Sequence, residues 1–309
     1  MIKLSSQAPL SQKTGVILIL LGALSIGLMP SAAKIAYQEG ANPLAAIILR
    51  SLIGFVGIGI YMAARKHQFN VGWKEIRFSS LTGVAQSFTS LGIMGSVAFI
   101  DVNVAALIMF CFPFWVAIYN HFSGTSKLTP TIIFCFTLAL IGLGLTLGMR
   151  LGELNTFGLG LALLGMFSMA IMVLVVAHSS TKIGPITANF FMTGWTLLYF
   201  LLIALVASVV GLLEPASFPV SSKGWIAIIG TGVSFTLAYV LFFIGATVIG
   251  TTRASILSIS EPVMIIIVAV LLIDERLTPI QWLGVMLVIG SLFAFEWPKK
   301  SISAKTLPE

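Results

Sequence analysis

The chain has 309 residues, of which 58% are hydrophobic and only 9% charged, with a formal net charge of +7 and a mean hydropathy of +1.07. Soluble domains carry about 25% charged residues, so this composition excludes an ordinary water-soluble fold. The stretches 78–100, 102–126, 128–149, 183–213 and 224–252 contain no Asp, Glu, Lys or Arg; each is long enough for the about 20 residues of a membrane-crossing helix and far longer than the about 10 alternating residues of an outer-membrane strand, which leaves an all-α polytopic membrane protein.

Hydropathy and turn signals predict ten spans, near 14–37, 43–64, 78–99, 102–121, 130–148, 157–177, 185–210, 224–248, 252–273 and 279–297. The first follows a tail, 1–13, and lacks a small-residue cleavage site after its apolar run, so it is expected to be a retained span rather than a signal peptide. It carries Lys34 close to its far end, where a lysine can snorkel to the interface. The second begins at Asn42-Pro43, a capping side chain before a proline suited to a first helical turn. Arg50 lies seven residues further on, about 10 Å deep. Lys34 and Arg50 share one half of the membrane. They could form a basic patch drawing an anionic or zwitterionic group to a cavity mouth, or anchor helix ends and pair with Glu39.

Span 3 places Thr82, Gln86, Thr89 and Ser90 on one helical face. Such a stripe is either an interhelical seam, worth roughly 0.6 kcal/mol per contact, or a cavity lining, for which the donor and acceptor of Gln86 make it the best candidate. Span 4 carries Pro113 amid Phe110, Phe112, Phe114 and Trp115, and span 5 starts at Thr129-Pro130. The small pairs Gly92/Ser96 and Gly144/Gly148 have the spacing of close helix packing. Trp195 in span 7 and Tyr239 in span 8 are aromatic candidates for a substrate cavity; Thr231 and Ser234 accompany Tyr239. Span 9 holds Glu261-Pro262, and span 10 starts at Thr278-Pro279.

Pro113 and Pro262 each fall about ten residues, roughly 15 Å, into their spans. A mid-helix proline frees the carbonyl four residues earlier, here Met109 and Ser258, which in hydrocarbon must face protein, water or substrate. Glu261 shares that depth, where a charge costs at least about 2.5–3.5 kcal/mol. Proton coupling or recognition of a substrate amine is the functional expectation; a neutral acid bonded to nearby backbone is the structural one.

Charge placement gives topology. With ten spans both termini share a side, which holds Lys3, Lys13, Arg65, Lys66, Lys74, Arg77, Lys127, Lys182, Arg253, Lys299, Lys300 and Lys305, against Arg150, Lys223 and Arg276 opposite. The positive-inside rule puts the termini in the cytoplasm, in an inner or plasma membrane. The basic balance is thereby a topology signal, with no support for nucleic-acid binding. Cys111 and Cys135 sit in apolar segments as packing residues. No histidine spacing suggests a metal site, and no cofactor motif or catalytic acid–base pair is present.

An internal repeat organises the chain. Pro113 to Thr129-Pro130 matches Pro262 to Thr278-Pro279 at an offset of 149 residues, or five spans. Gly22 and Ser25 parallel Gly165 and Ser168, and Pro43 parallels Pro185. Five spans per repeat invert one half relative to the other, as in many secondary transporters with a substrate site between the halves. The expected units are an N-terminal tail 1–13, repeats 14–148 and 157–297, and a C-terminal tail 298–309.

On Lys34, Asn42-Pro43 and Arg50 in the first half, and on Ala254 to Glu261-Pro262-Val263, Asp274-Glu275-Arg276-Leu277-Thr278-Pro279, Gly284 and Gly290 in the second, the chain resembles the drug/metabolite transporter superfamily, specifically its EamA-type ten-helix members. The resemblance spans about 14–297. It implies a five-plus-five inverted repeat, a central cavity and alternating access. In one place the chain departs from the pattern: the acidic residue before the Leu-Thr element is Glu275 in the second half but Ser126 in the first.

The expected function is secondary transport, with export favoured, of a small polar or amphipathic metabolite, amino-acid-like or organic-acid-like, driven by protons or exchange. A passive facilitator, an intramembrane enzyme and a receptor subunit are the alternatives. The enzyme lacks a partner for Glu261, and the receptor lacks a soluble region. Expected partners are the small-molecule substrate, protons as a coupling ion and the lipid bilayer; oligomeric state is open, a monomer included.

Overall fold

The structure, a computed structural model, describes residues 10–65, 71–97, 99–100, 102–148, 155–210, 215–264, 267 and 277–296. The elements are α1 (Gln12–Gln38), α2 (Pro43–Ala64), α3 (Trp73–Val97), α4 (Val102–Met109), α5 (Phe112–Phe122), α6 (Pro130–Leu147), α7 (Thr156–Ile183), α8 (Pro185–Val210), α9 (Ser222–Ile249), α10 (Thr251–Leu257), α11 (described over 260–264) and α12 (Pro279–Glu296). No strand occurs among the described residues. Arg150, the Asp274-Glu275-Arg276 segment and the C-terminal tail lie outside them, as does most of the N-terminal tail.

The helices begin where capping chemistry permits. Asn42 Oδ1 accepts from the Ala45 N–H at 3.0 Å, and Thr129 Oγ1 from that of Ile132 at 3.3 Å, each just before a proline in the first turn. Thr278 and Gln281 bond reciprocally: the Gln281 N–H donates to Thr278 Oγ1 and the Thr278 N–H to Gln281 Oε1. This satisfies first-turn donors that hydrocarbon cannot.

Outward faces are apolar. Ile17, Leu21, Leu24 and Leu28 share the exposed side of α1, while Ile19 and Ala23 on its other side are buried. Repeated around the bundle, such exposed apolar stripes suit lipid rather than water. Among the described residues, seven segments are apolar and long enough to cross a membrane, one of them (Val104–Phe122) made of α4 and α5 together. The other three of the ten predicted spans are α3, which carries Lys74, Glu75 and Arg77 at its start, the α10–α11 pair and α12. The protein is an all-α polytopic membrane protein.

Packing follows the repeat. The five-span shift carries α1, α2 and α3 onto α7, α8 and α9, and α6 onto α12. Under it the α1–α9 contact becomes α7–α3, and α2–α9 becomes α8–α3, while α2–α8 and α6–α12 map onto themselves; all of these pairs are in contact. Two need glycine. A Cβ on Gly92 would lie 2.6 Å from the Gly165 nitrogen, and one on Gly284 would lie 2.5 Å from the Gly142 carbonyl oxygen. Gly148 is the left-handed C-cap of α6 (φ 62°), its N–H donating to the Gly144 and Leu145 carbonyls; a Cβ there would lie 3.7 Å from Gln281 Nε2 of α12, and Gly142 meets α12 more closely. At Gly184 and Gly250 (φ 84° and 83°) the chain reverses through one residue, α7 into α8 and α9 into α10. Side chains rarely adopt that conformation.

Both broken helices turn next to their proline. α4 ends at Met109 and α5 begins at Phe112, with Pro113 in its first turn; α10 ends at Leu257 and Pro262 lies in α11. The Ser258 carbonyl, predicted to be free, accepts from the Glu261 N–H at 2.8 Å. The chain tightens to i→i+3 bonding there, which satisfies the group locally.

Candidate functional site

Arg50 projects from α2 towards α3 and α9. Its Nη2 donates to Ser90 Oγ at 3.0 Å, and its guanidinium carbon lies 4.4 Å from the Phe235 ring centroid. Gln86, one turn before Ser90 on α3, donates from Nε2 to the same hydroxyl at 3.4 Å. Arg50 Nε and Gln86 Oε1 are buried, and neither has a hydrogen-bond partner among the described residues. Buried polar groups are nearly always paired, so this donor and acceptor mark a place where water or a polar ligand belongs.

From Arg50 an aromatic line runs along α9. Phe235 and Tyr239 have ring centroids 4.5 Å apart, and Tyr239 lies within electrostatic reach of both Arg50 and Glu261. Glu261 lines a small central cavity together with Tyr239, Phe112, Ser258, Met169 and Gly22. The cavity holds about 20 Å³ of free volume, room for about one water. Arg50, Gln86, Tyr239 and Glu261 thus form one connected region contributed by α2, α3, α9 and α11.

The repeat explains why these elements face each other. An offset of 149 takes Gln86 to Phe235, Ser90 to Tyr239 and Phe112 to Glu261. Arg50 therefore sits between repeat mates, bonding Ser90 on one helix and covering Phe235 on the other. The charge has no such symmetry, since Glu261 is matched by a phenylalanine. Phe235 is the residue missed by sequence reasoning, and applying the repeat offset to the polar stripe of span 3 would have pointed to it; Phe112, one of the aromatics grouped around Pro113, does line the cavity.

Other candidates lie elsewhere. Trp195 donates from Nε1 to Ser79 Oγ at 3.1 Å and stacks on Tyr199, lining a separate cleft between α3, α7 and α8. Lys34 lies on α1, but its side chain is outside the described residues. Arg50 does not turn to the helix end: its hydrogen-bond partner is Ser90, while the Glu39 carbonyl accepts from the Val220 N–H at 3.0 Å. Thr82, Thr89 and Thr231 are buried and donate to carbonyls of their own helices, which satisfies them without a second helix.

The bundle is tied at both ends of this region. On the face holding the start of α1, Asn120 Nδ2 donates to Thr251 Oγ1 at 2.6 Å and to Thr252 Oγ1 at 2.8 Å. On the opposite face the Asn42 N–H donates to the Ser217 carbonyl at 3.1 Å, and Asn42 Nδ2 to that of Pro215 at 2.8 Å.

Paired broken helices around a nearly closed polar centre, in a bundle whose contacts exchange under a five-span shift, define a membrane transporter architecture. The model of the EamA-like transporter family matches the chain twice, over residues 13–148 and 156–296, and the chain belongs to that family. It is 25% identical over 299 residues to YcbK, an uncharacterized transporter of Bacillus subtilis (strain 168), covering 94% of this chain and 95% of that one. It is 27% identical over 278 residues to an uncharacterized transporter of Archaeoglobus fulgidus, covering 88% and 94%. A solved crystal structure superposes with a TM-score of 0.78 at 16% identity, covering 92% of this chain and 97% of the other, a likeness of fold.

Proposed function

We propose that the protein is a secondary transporter that moves a small polar or amphipathic metabolite, amino-acid-like or organic-acid-like, across the inner or plasma membrane by alternating access, with export favoured. The observation that carries this reading is the connected centre of Arg50, Gln86, Tyr239 and Glu261, with an unpaired buried donor and acceptor, between helices that the repeat relates. Residues 14–148 and 157–297 act as the two inverted halves, and both termini face the cytoplasm, as the basic residues argue. The hydrogen-bonded ties at Asn120 and at Asn42 open in turn, each exposing the centre to one side.

Arg50 offers a cation to an anionic group of the solute. Glu261, at the helix break, is placed to exchange a proton when water reaches the cavity, which would couple movement to a proton gradient. Its role in this reading is binding or coupling. Reconstitution into proteoliposomes with a pooled metabolite panel, with and without a pH gradient, tests the proposal. Movement of at least one amino-acid-like or organic-acid-like solute above empty liposomes supports it, and a pH-dependent rate supports the coupling. No movement of any such solute in either direction contradicts it.

A further inference from the structure

The cleft beside Trp195 differs in construction from the central site and touches none of its residues. It encloses about 860 Å³ between the start of α3, the end of α7 and the first half of α8. Its rim is basic: Lys74 and Arg77 in the first turns of α3, and Lys182 in the last turn of α7, all exposed. Among the described residues the one carboxylate on that wall, Glu75, is turned back on its own chain, with Oε2 against Gly72. His178 completes the rim, its ring 5.5 Å from that of Phe78.

Below the rim the lining changes character. Leu81 is 48% exposed, and Trp195 and Tyr199 stack with ring centroids 6.0 Å apart. Trp195 is ten residues and Tyr199 fourteen residues past the start of α8, or about 15 and 21 Å along the helix. Leu198, Leu201 and Leu202 are exposed on the adjoining surface of α8, so the cleft opens sideways onto lipid-facing surface. Ser179 is buried in the same wall, and its hydroxyl has no partner among the described residues.

We propose that this cleft is a binding site for an anionic phospholipid from the leaflet on the side of the α1 start. The phosphate-bearing headgroup lies against Lys74, Arg77 and Lys182, within reach of the Ser179 hydroxyl, and an acyl chain runs along Leu81, Trp195 and Tyr199. Basic clefts between membrane helices suit anionic headgroups, and the stacked rings of Trp195 and Tyr199, deeper along α8, give the acyl chain an apolar wall. A free phosphate ion would use only the rim and leave the apolar depth unfilled. The proposal is independent of transport and of the central site.

The test uses the full-length protein purified in detergent. Thermal unfolding is followed with added phosphatidylglycerol, phosphatidylcholine or inorganic phosphate, and lipid retention from an equimolar mixture of the two phospholipids is read by native mass spectrometry. Phosphatidylglycerol should raise the unfolding temperature and be retained in preference, while the other two have little effect. The K74Q/R77Q/K182Q variant should lose the preference, each lysine or arginine accounting for about fivefold; K223Q, on the opposite face, should keep it. Should the triple variant not fold, K182Q alone, at an exposed position, should show the fivefold loss. Equal retention of both lipids, an unchanged preference in the variants, or full stabilisation by inorganic phosphate alone would overturn the assignment.

Discussion

The Arg50 guanidinium carbon lies 4.4 Å from the Phe235 ring centroid, so a charged side chain of α2 is held against the face of an aromatic ring on α9. With Ser90 accepting from Nη2 on the other side, the cation is clamped between the two helices that the repeat relates. A cation–π contact of this kind is worth about 0.5–2 kcal/mol. Phe235→Leu should therefore weaken apparent solute affinity about twofold to thirtyfold, while Phe235→Tyr retains it. Concentration dependence of flux in proteoliposomes measures this, and unchanged affinity in Phe235→Leu would remove the clamp from solute binding.

Arg50→Lys tests geometry apart from charge. A lysine keeps the cation but has no Nε donor and no planar fork for both Ser90 and a ligand. Affinity for an anionic or zwitterionic solute should fall about tenfold or more, as for loss of a charge-assisted hydrogen bond. Full function in Arg50→Lys would show that only the charge is used.

Glu261 lines the cavity beside the α10–α11 break. If it carries the coupling proton, Glu261→Gln holds the site permanently neutral. Flux in this variant should lose its variation between about pH 5 and 8 while exchange of solute for solute persists. Flux measured against pH decides it; an unchanged profile would assign coupling elsewhere.

The spans and the proline positions were legible in the sequence because hydropathy and capping are local. The rotation of each helix was not. A span apolar on most faces has no strong reason to present one of them, so Arg50 could be read as an anchor near Glu39 or as a cavity residue. Its partner Phe235 is distant along the chain and plain in character. Trp195 shows the converse: a tryptophan at mid-span looks like a cavity aromatic, yet a hydrogen bond to Ser79 holds it in a lateral cleft. Likewise, glycine spacing marked α6 as closely packed, yet the closest approach to α12 falls at Gly142, outside the spaced pair, where a Cβ would lie 2.8 Å from the Gly284 carbonyl oxygen.

Those contacts carry their own test. Gly142→Val places a side chain within 2.8 Å of the Gly284 carbonyl oxygen, whereas a Cβ on Gly290 has nothing within 4 Å. Gly142→Val should destabilise by about 1–3 kcal/mol, and Gly290→Ala should not. Unfolding of both variants in detergent is the check, and equal stabilities would contradict the close approach of α6 and α12.

The central claim is that solute crosses through the region joining Arg50 to Glu261. Counterflow uptake in proteoliposomes, using a solute moved by the wild-type protein and correctly folded Arg50→Ala and Glu261→Gln variants, tests it most directly. The predicted result is strong loss of uptake in Arg50→Ala, with counterflow retained but proton-gradient-driven uptake lost in Glu261→Gln. Wild-type rates in both variants under both conditions would contradict the account.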